Sequence, residues 1–120
     1  MAEHNELGRK GEAAAVTYLE KKGHRIIERN WSVSGYEVDI ISENDEFIVF
    51  VEVKTRTTAD WGDPSDAVTE QRMRRMIRAA SHYLKMNGID KPARFDIVTV
   101  IWNKRQFQLE HIEDAFLPFL

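Results

Sequence analysis

The chain has 120 residues, 42% of them hydrophobic and 31% charged, with no cysteine and a formal charge of −3. These proportions suit a soluble globular fold and exclude collagen-like, disordered and disulfide-stapled scaffolds, while the length fits one domain over residues 1–120. Without cysteine there is no thiol nucleophile, zinc knuckle or iron–sulfur ligation, and the longest strongly apolar run, Phe47 to Val51, is far short of the roughly 20 residues that cross a bilayer.

Met1 to Lys10 is polar and lacks the apolar stretch of a secretory signal, so a cytoplasmic protein with no membrane association is expected. From His4 or Asn5 to Lys22, Leu7, Gly11, Ala14, Ala15, Tyr18 and Leu19 recur at helical spacing, and Gly23 follows as a stop. Gly8 and Gly11 inside that helix each cost about 1 kcal/mol relative to alanine, which points to close approach of the helix to another backbone. Arg25 to Val33 and Tyr36 to Ser42 read as strands joined by a Ser34-Gly35 turn, and Phe47 to Lys54, apolar on both faces at first, reads as a covered central strand. After a polar loop containing Trp61 and Gly62, Ser65 or Asp66 is expected to cap a second helix with an apolar stripe of Val68, Met73, Met76, Ile77, Ala80, Tyr83 and Leu84, ending at Gly88. Arg94 to Trp102 is a second apolar strand whose connection through that helix calls for parallel pairing with the first, and Gln106 to Glu110 is a short last strand. The apolar tail Phe116 to Leu120 needs cover, either on the sheet edge or against another protomer.

Charge is segregated along the chain. Between Ala67 and Asn87 there are five basic residues and one acid, leaving the remainder at −7. Gln71, Arg75, Arg78, His82 and Lys85 fall at i, i+4, i+7, i+11 and i+14, one stripe of the second helix. Such a stripe is commonly a solvated face, but it can also follow a phosphate backbone, where contacts position the ligand without reading its sequence.

Strand alternation places Glu37 and Asp39 on one face of their strand, and Glu52 and Lys54 on one face of theirs. Glu52 and Lys54 end an apolar strand, where unpaired charge costs several kcal/mol, so each should meet a counter-charge or a cation. Mg²⁺ takes hard oxygen ligands, commonly one or two carboxylates with water and substrate phosphate oxygens, and Asp39 and Glu52 on neighbouring strands supply such a pair. Lys54 could then stabilise negative charge developing on a phosphodiester. Glu37 could instead solvate its strand face or pair with Arg56, and Lys54 alone would pass for a cross-strand ion pair. His4, His24, His82 and His111 lack the spacing of a zinc site, and Asp96 is expected to cap or pair near the start of its strand.

Gly8-Arg-Lys-Gly-Glu12, Glu37-Val-Asp39, Phe50-Val-Glu-Val-Lys-Thr-Arg56 and Arg94-Phe-Asp96, in this order, resemble the YraN-type family of predicted PD-(D/E)xK proteins related to Holliday-junction resolvases. The resemblance runs from about Glu6 to Val100 and implies an α/β restriction-endonuclease-like fold, a mixed sheet flanked by helices in the order αβββαββ. It also implies a nucleic-acid-binding, Mg²⁺-dependent endonuclease, with Mn²⁺ as a substitute, acting on structured DNA rather than RNA. Carried onto this chain, Asp39 and Glu52 hold the metal with the Val53 carbonyl as a third ligand, Lys54 assists the water, and Glu12 joins them directly or through water. Val38 stands where the superfamily name has proline, and Gln71 or Arg72 stands for the polar residue of the following helix. Gln71, Arg72, Arg75 and Arg78 are the candidate nucleic-acid contacts. The rival reading is a repair-accessory module whose nuclease site is inactive or needs a partner. Cutting both strands of a duplex or junction would favour a homodimer on symmetry grounds.

Overall fold

The computed structural model describes residues 2–57 and 68–117, with side chains described from Glu6 onward. Along the chain run α1 (Ala2–Lys21), β1 (Arg25–Val33), β2 (Tyr36–Glu43), β3 (Ile48–Thr57), α2 (Glu70–Asn87), β4 (Ala93–Trp102) and β5 (Phe107–Ile112), the expected order αβββαββ. The strands form one mixed sheet in the order β1-β2-β3-β4-β5. Only β3 and β4 pair in parallel, as their connection through α2 requires; the other neighbours are antiparallel.

Alternation along β3 and β4 gives the sheet two apolar faces, and each has its own helix. Ile48, Phe50 and Phe95 pack with Met76, Ala79, Ala80 and Tyr83 of α2, whereas Val49, Val51, Val98 and Val100 pack with Ala15 and Leu19 of α1. Phe50 stacks on Phe95, and Phe95 on Phe116 with ring centroids 5.0 Å apart. Phe116 therefore completes the core on the α2 face rather than lying on the sheet edge or waiting for another protomer, while Leu117 stays half exposed. Pro118 to Leu120 lie outside the described residues.

The hairpin between β1 and β2 turns through Ser34 and Gly35, both at positive φ (50° and 80°), the two-residue geometry that matches strand twist. The second helix departs from expectation at its start. Ser65, Asp66 and the Trp61-Gly62 loop fall outside the described residues, and α2 begins only at Glu70, where the Thr69 hydroxyl accepts the Arg72 N–H at 3.1 Å. Val68, read as part of the helical stripe, instead precedes the cap and is buried there; N-caps select for side-chain oxygen at the point where the chain turns, and Thr69 supplies it.

One polar cluster lies beneath α1. Asp96 on β4, fully buried, accepts both Nε and Nη2 of Arg94 at 2.9 and 2.8 Å, Nε2 of His111 at 2.7 Å and the Asp114 N–H at 3.1 Å. Burial by itself would raise its pKa, but those bonds outweigh it and hold the carboxyl below the ordinary range. Tyr18 of α1 reaches the other ring nitrogen of His111 at 3.1 Å, so this cluster joins α1, β4, β5 and the segment after it. The expectation that Asp96 pairs near the start of its strand is met. No helix among the described residues is long and apolar enough to cross a membrane.

Candidate metal and nucleic-acid site

The β2–β3 ladder ends at the Ile40–Val51 pair, and beyond it the two strands separate. Past that point the Val53 N–H has no partner on β2, and the Asp39 side chain takes it, Oδ2 accepting at 2.8 Å. On the other side of β2, Asn30 of β1 sits between the paired residues Arg29 and Trp31 with φ at +52°, a left-handed conformation that asparagine tolerates and most residues do not. Its Nδ2 donates to Glu12 Oε1 at 3.1 Å, and Arg29 Nε lies 3.4 Å from the same oxygen. Glu12 reaches this place because α1 lies hard against β3. A Cβ added to Gly11 would come within 2.7 Å of Thr55 Cγ2. The glycine expected to permit close approach does so at Gly11, against a side chain, while nothing lies within 4 Å of a Cβ at Gly8.

Between α1 and the parted strands is a cavity of about 390 Å³ lined by Gly8, Arg9, Glu12, Asn30, Asp39, Val53, Lys54 and Thr55. Three of the four residues singled out for chemistry, Glu12, Asp39 and Lys54, thus share one opening, with Val53 beside them. Glu52 does not line it. Its carboxylate is held from the α2 side by Arg72, Nε to Oε2 at 2.9 Å and Nη2 to Oε1 at 2.8 Å, a two-pronged pair largely withdrawn from solvent. Glu52 still bears on Asp39: burial first, and then the Glu52 charge, push the Asp39 carboxyl up to about 8, against the opposing pull of the Val53 N–H and Arg72. Arg72 is itself under the charge of Glu52, Asp39 and Glu37.

The expected single pocket is therefore drawn in two directions from Asp39. Glu12 and Lys54 border the cavity beside α1, whereas Glu52, which shares its strand face with Lys54 by alternation, is drawn to α2 by the Arg72 guanidinium. Among the described residues no three His, Asp or Glu side chains converge as a metal-holding group. Lys54 makes no ion pair among the described residues and stands exposed at the cavity edge. Glu37 is exposed, as a residue solvating its strand face would be.

Gln71, Arg75, Arg78, His82 and Lys85 all lie on the outer face of α2, as their spacing predicts. Gln71, Arg74, Arg75 and Arg78 border a second cavity of about 360 Å³ with the Ser34-Gly35 turn and Tyr36. Arg75 donates to the Gly35 carbonyl at 2.9 Å and lies 5.7 Å from the Tyr36 ring centroid, so the hairpin tip and the basic helix face form one surface. Arg72 departs from the other candidate contacts by turning inward to Glu52. Residue types alone missed Asn30, Arg9 and the Arg72 clamp; only the polar Asn30 inside an otherwise strand-like run signalled the first.

Residues 11–100 match the family model described as Uncharacterised protein family UPF0102. The chain belongs to that family. This is the YraN-type family that the motifs resemble, and the matched segment of this UPF0102 chain includes Gly11, Glu12, Asn30, Asp39, Glu52, Lys54 and the arginines of α2. Relatives described as UPF0102 proteins come from Bacteroides fragilis, 49% identical over 118 residues spanning 98% of each chain; from Phocaeicola vulgatus, 46% identical over the same share; and from Flavobacterium psychrophilum, 43% identical over 99% of this chain and 100% of the relative.

Proposed function

We propose that this UPF0102 protein binds nucleic acid, structured DNA above all, and hydrolyses its phosphodiester bonds with Mg²⁺, or Mn²⁺ in its place. The observation that carries this reading is the Asp39–Glu52 carboxylate pair beside a cavity edged by Lys54 and Glu12. The donor set fits Mg²⁺, which binds through one or two carboxylates and keeps its other positions for water and phosphate oxygens. Burial and then the Glu52 charge hold the Asp39 carboxyl in its protonated form up to about pH 8, and a divalent cation bound between the two carboxylates would take the place of that proton. Asp39 and Glu52 would hold the ion, with Val53 alongside. Bound there, it would stabilise charge on a phosphoryl oxygen and lower the pKa of a water.

The chain's own groups divide the remaining work. Lys54, exposed at the cavity mouth, offsets the negative charge that grows on the phosphoryl oxygens during displacement. Glu12, anchored by Asn30 and Arg29, offers a fixed acceptor that orients a water across the cavity from Lys54. Arg75 and Arg78 beside Tyr36 hold the phosphate backbone of the strand. Purified protein should cut branched, duplex or single-stranded substrates with Mg²⁺ or Mn²⁺, and Lys54→Ala should lose about 10²-fold or more of the rate with an unchanged circular dichroism spectrum. Equal rates for the two proteins would reject the assignment of Lys54. A second reading, a module whose site is silent until a partner arrives, is favoured by one observation, namely that both oxygens of Glu52 are already taken by Arg72.

A further inference from the structure

Resting on that metal-site reading, we propose that Arg72 is a positioning residue that ties cation binding to the arrival of nucleic-acid phosphate, by holding Glu52 until a phosphate group draws the guanidinium away. While Nε and Nη2 of Arg72 bond to its two oxygens, Glu52 has its charge already neutralised and only its remaining lone pairs left for a cation, which makes it a weak ligand in this state. The pair is strong because it is bidentate and sheltered, with side chains 25% and 14% exposed, so it does not open without a substitute partner. Phosphate is such a partner, since the planar guanidinium fork matches it as well as it matches a carboxylate.

The location supplies the substitute. Arg72 lies in the first turn of α2, and on its outer side it borders a shallow cavity of about 240 Å³ with Thr69, Gln71 and Arg75. Gln71 and Arg75 also line the larger cavity at the hairpin tip, so a backbone laid along the basic face of α2 comes within reach of Arg72 at the end nearest Glu52. The charge balance changes with the exchange. With Arg72 on Glu52, the clamp neutralises that carboxylate; with Arg72 on phosphate, Glu52 and Asp39 face each other without a cation. The site then gains affinity for a divalent ion only when its ligand is present, and by linkage the ion tightens the ligand by the same factor.

The test measures Mn²⁺ binding by calorimetry in the Lys54→Ala background, so that the DNA stays intact, with and without a short branched DNA oligonucleotide. DNA should tighten Mn²⁺ by about tenfold or more when Arg72 is present. Arg72→Gln should bind Mn²⁺ more tightly than its parent without DNA and gain little further when DNA is added. Arg72→Lys keeps the charge and loses the fork, so its coupling should fall below half of the parent's on a logarithmic scale. Coupling left unchanged by Arg72→Lys would reduce Arg72 to a simple neutralising charge and overturn the proposal. Mn²⁺ binding that is the same with and without DNA in every protein would also overturn it, while leaving the metal reading intact. Absence of Mn²⁺ binding in every protein and condition would remove the metal reading itself, and the proposal with it.

Discussion

Asp39 has two attachments that pull its chemistry in opposite directions. The Val53 N–H favours its ionised form, yet burial and the adjacent Glu52 prevail and push the carboxyl up to about 8 from the ordinary 3.8. A carboxyl whose folded pKa lies above the unfolded value keeps in the folded state a proton that the unfolded chain has released. Its stabilising contribution is therefore complete below about pH 4 and is lost as pH rises toward about 8. Asp39→Asn retains an oxygen for the Val53 N–H and has no proton to lose. In chelator-treated protein, the urea midpoint of the parent should fall more between pH 5 and pH 8 than that of Asp39→Asn; parallel curves would show that the carboxyl titrates as it does in the unfolded chain. At this scale the carboxylates and Lys54 were legible as candidates, though the shared face that strand period gives Glu52 and Lys54 did not keep them together: Glu52 meets Arg72, and Lys54 borders the cavity beside α1. The left-handed Asn30 and the turn of Arg72 toward Glu52 were not legible, because each depends on a neighbour at least 18 residues away.

Among the elements, the seating of α1 on β3 depends on Gly11. An added methyl group would meet Thr55 Cγ2 at 2.7 Å, and a helix backed by a sheet has little freedom to shift. Gly11→Ala should cost about 1–3 kcal/mol in urea unfolding despite alanine's better helix propensity, and Thr55→Ala in the same chain should recover part of the loss. Gly8→Ala, facing open space, should instead be neutral or stabilising by up to about 1 kcal/mol; equal losses at both glycines would reject the packing account. The start of α2 shows how local signals compete. Ser65, Asp66 and Thr69 are all eligible caps by residue type, and the burial of Val68 immediately ahead of the helix goes with capping by Thr69. The end of β3 was likewise read short at Lys54, whereas pairing with β4 carries it to Thr57, since the β-branched Thr55 and Thr57 suit a strand and β4 runs beside them as far as Trp102.

At the scale of the whole molecule, the Asp96 cluster ties α1 to β4, β5 and the segment that follows them. Its carboxylate has no exposed surface and satisfies Arg94, His111 and the Asp114 N–H at once. Asp96→Ala leaves a buried guanidinium without its partner and should cost about 3–5 kcal/mol, whereas Glu6→Ala, breaking the exposed Glu6–Lys10 pair, should stay within about 1 kcal/mol. A thermal or urea comparison of the two variants checks this, and similar small losses would show that the cluster contributes little. What the sequence by itself determined is the order of elements and the two faces of the sheet, because hydrophobic period is a local property that hardly depends on the rest of the chain. It also marked the carboxylates and the basic stripe. The tertiary structure alone decided that Glu12, Asp39 and Lys54 share a cavity while Glu52 is held from the α2 side by Arg72, since charges meet through space, and which partner a buried carboxylate takes depends on the packing of helices the local pattern does not position.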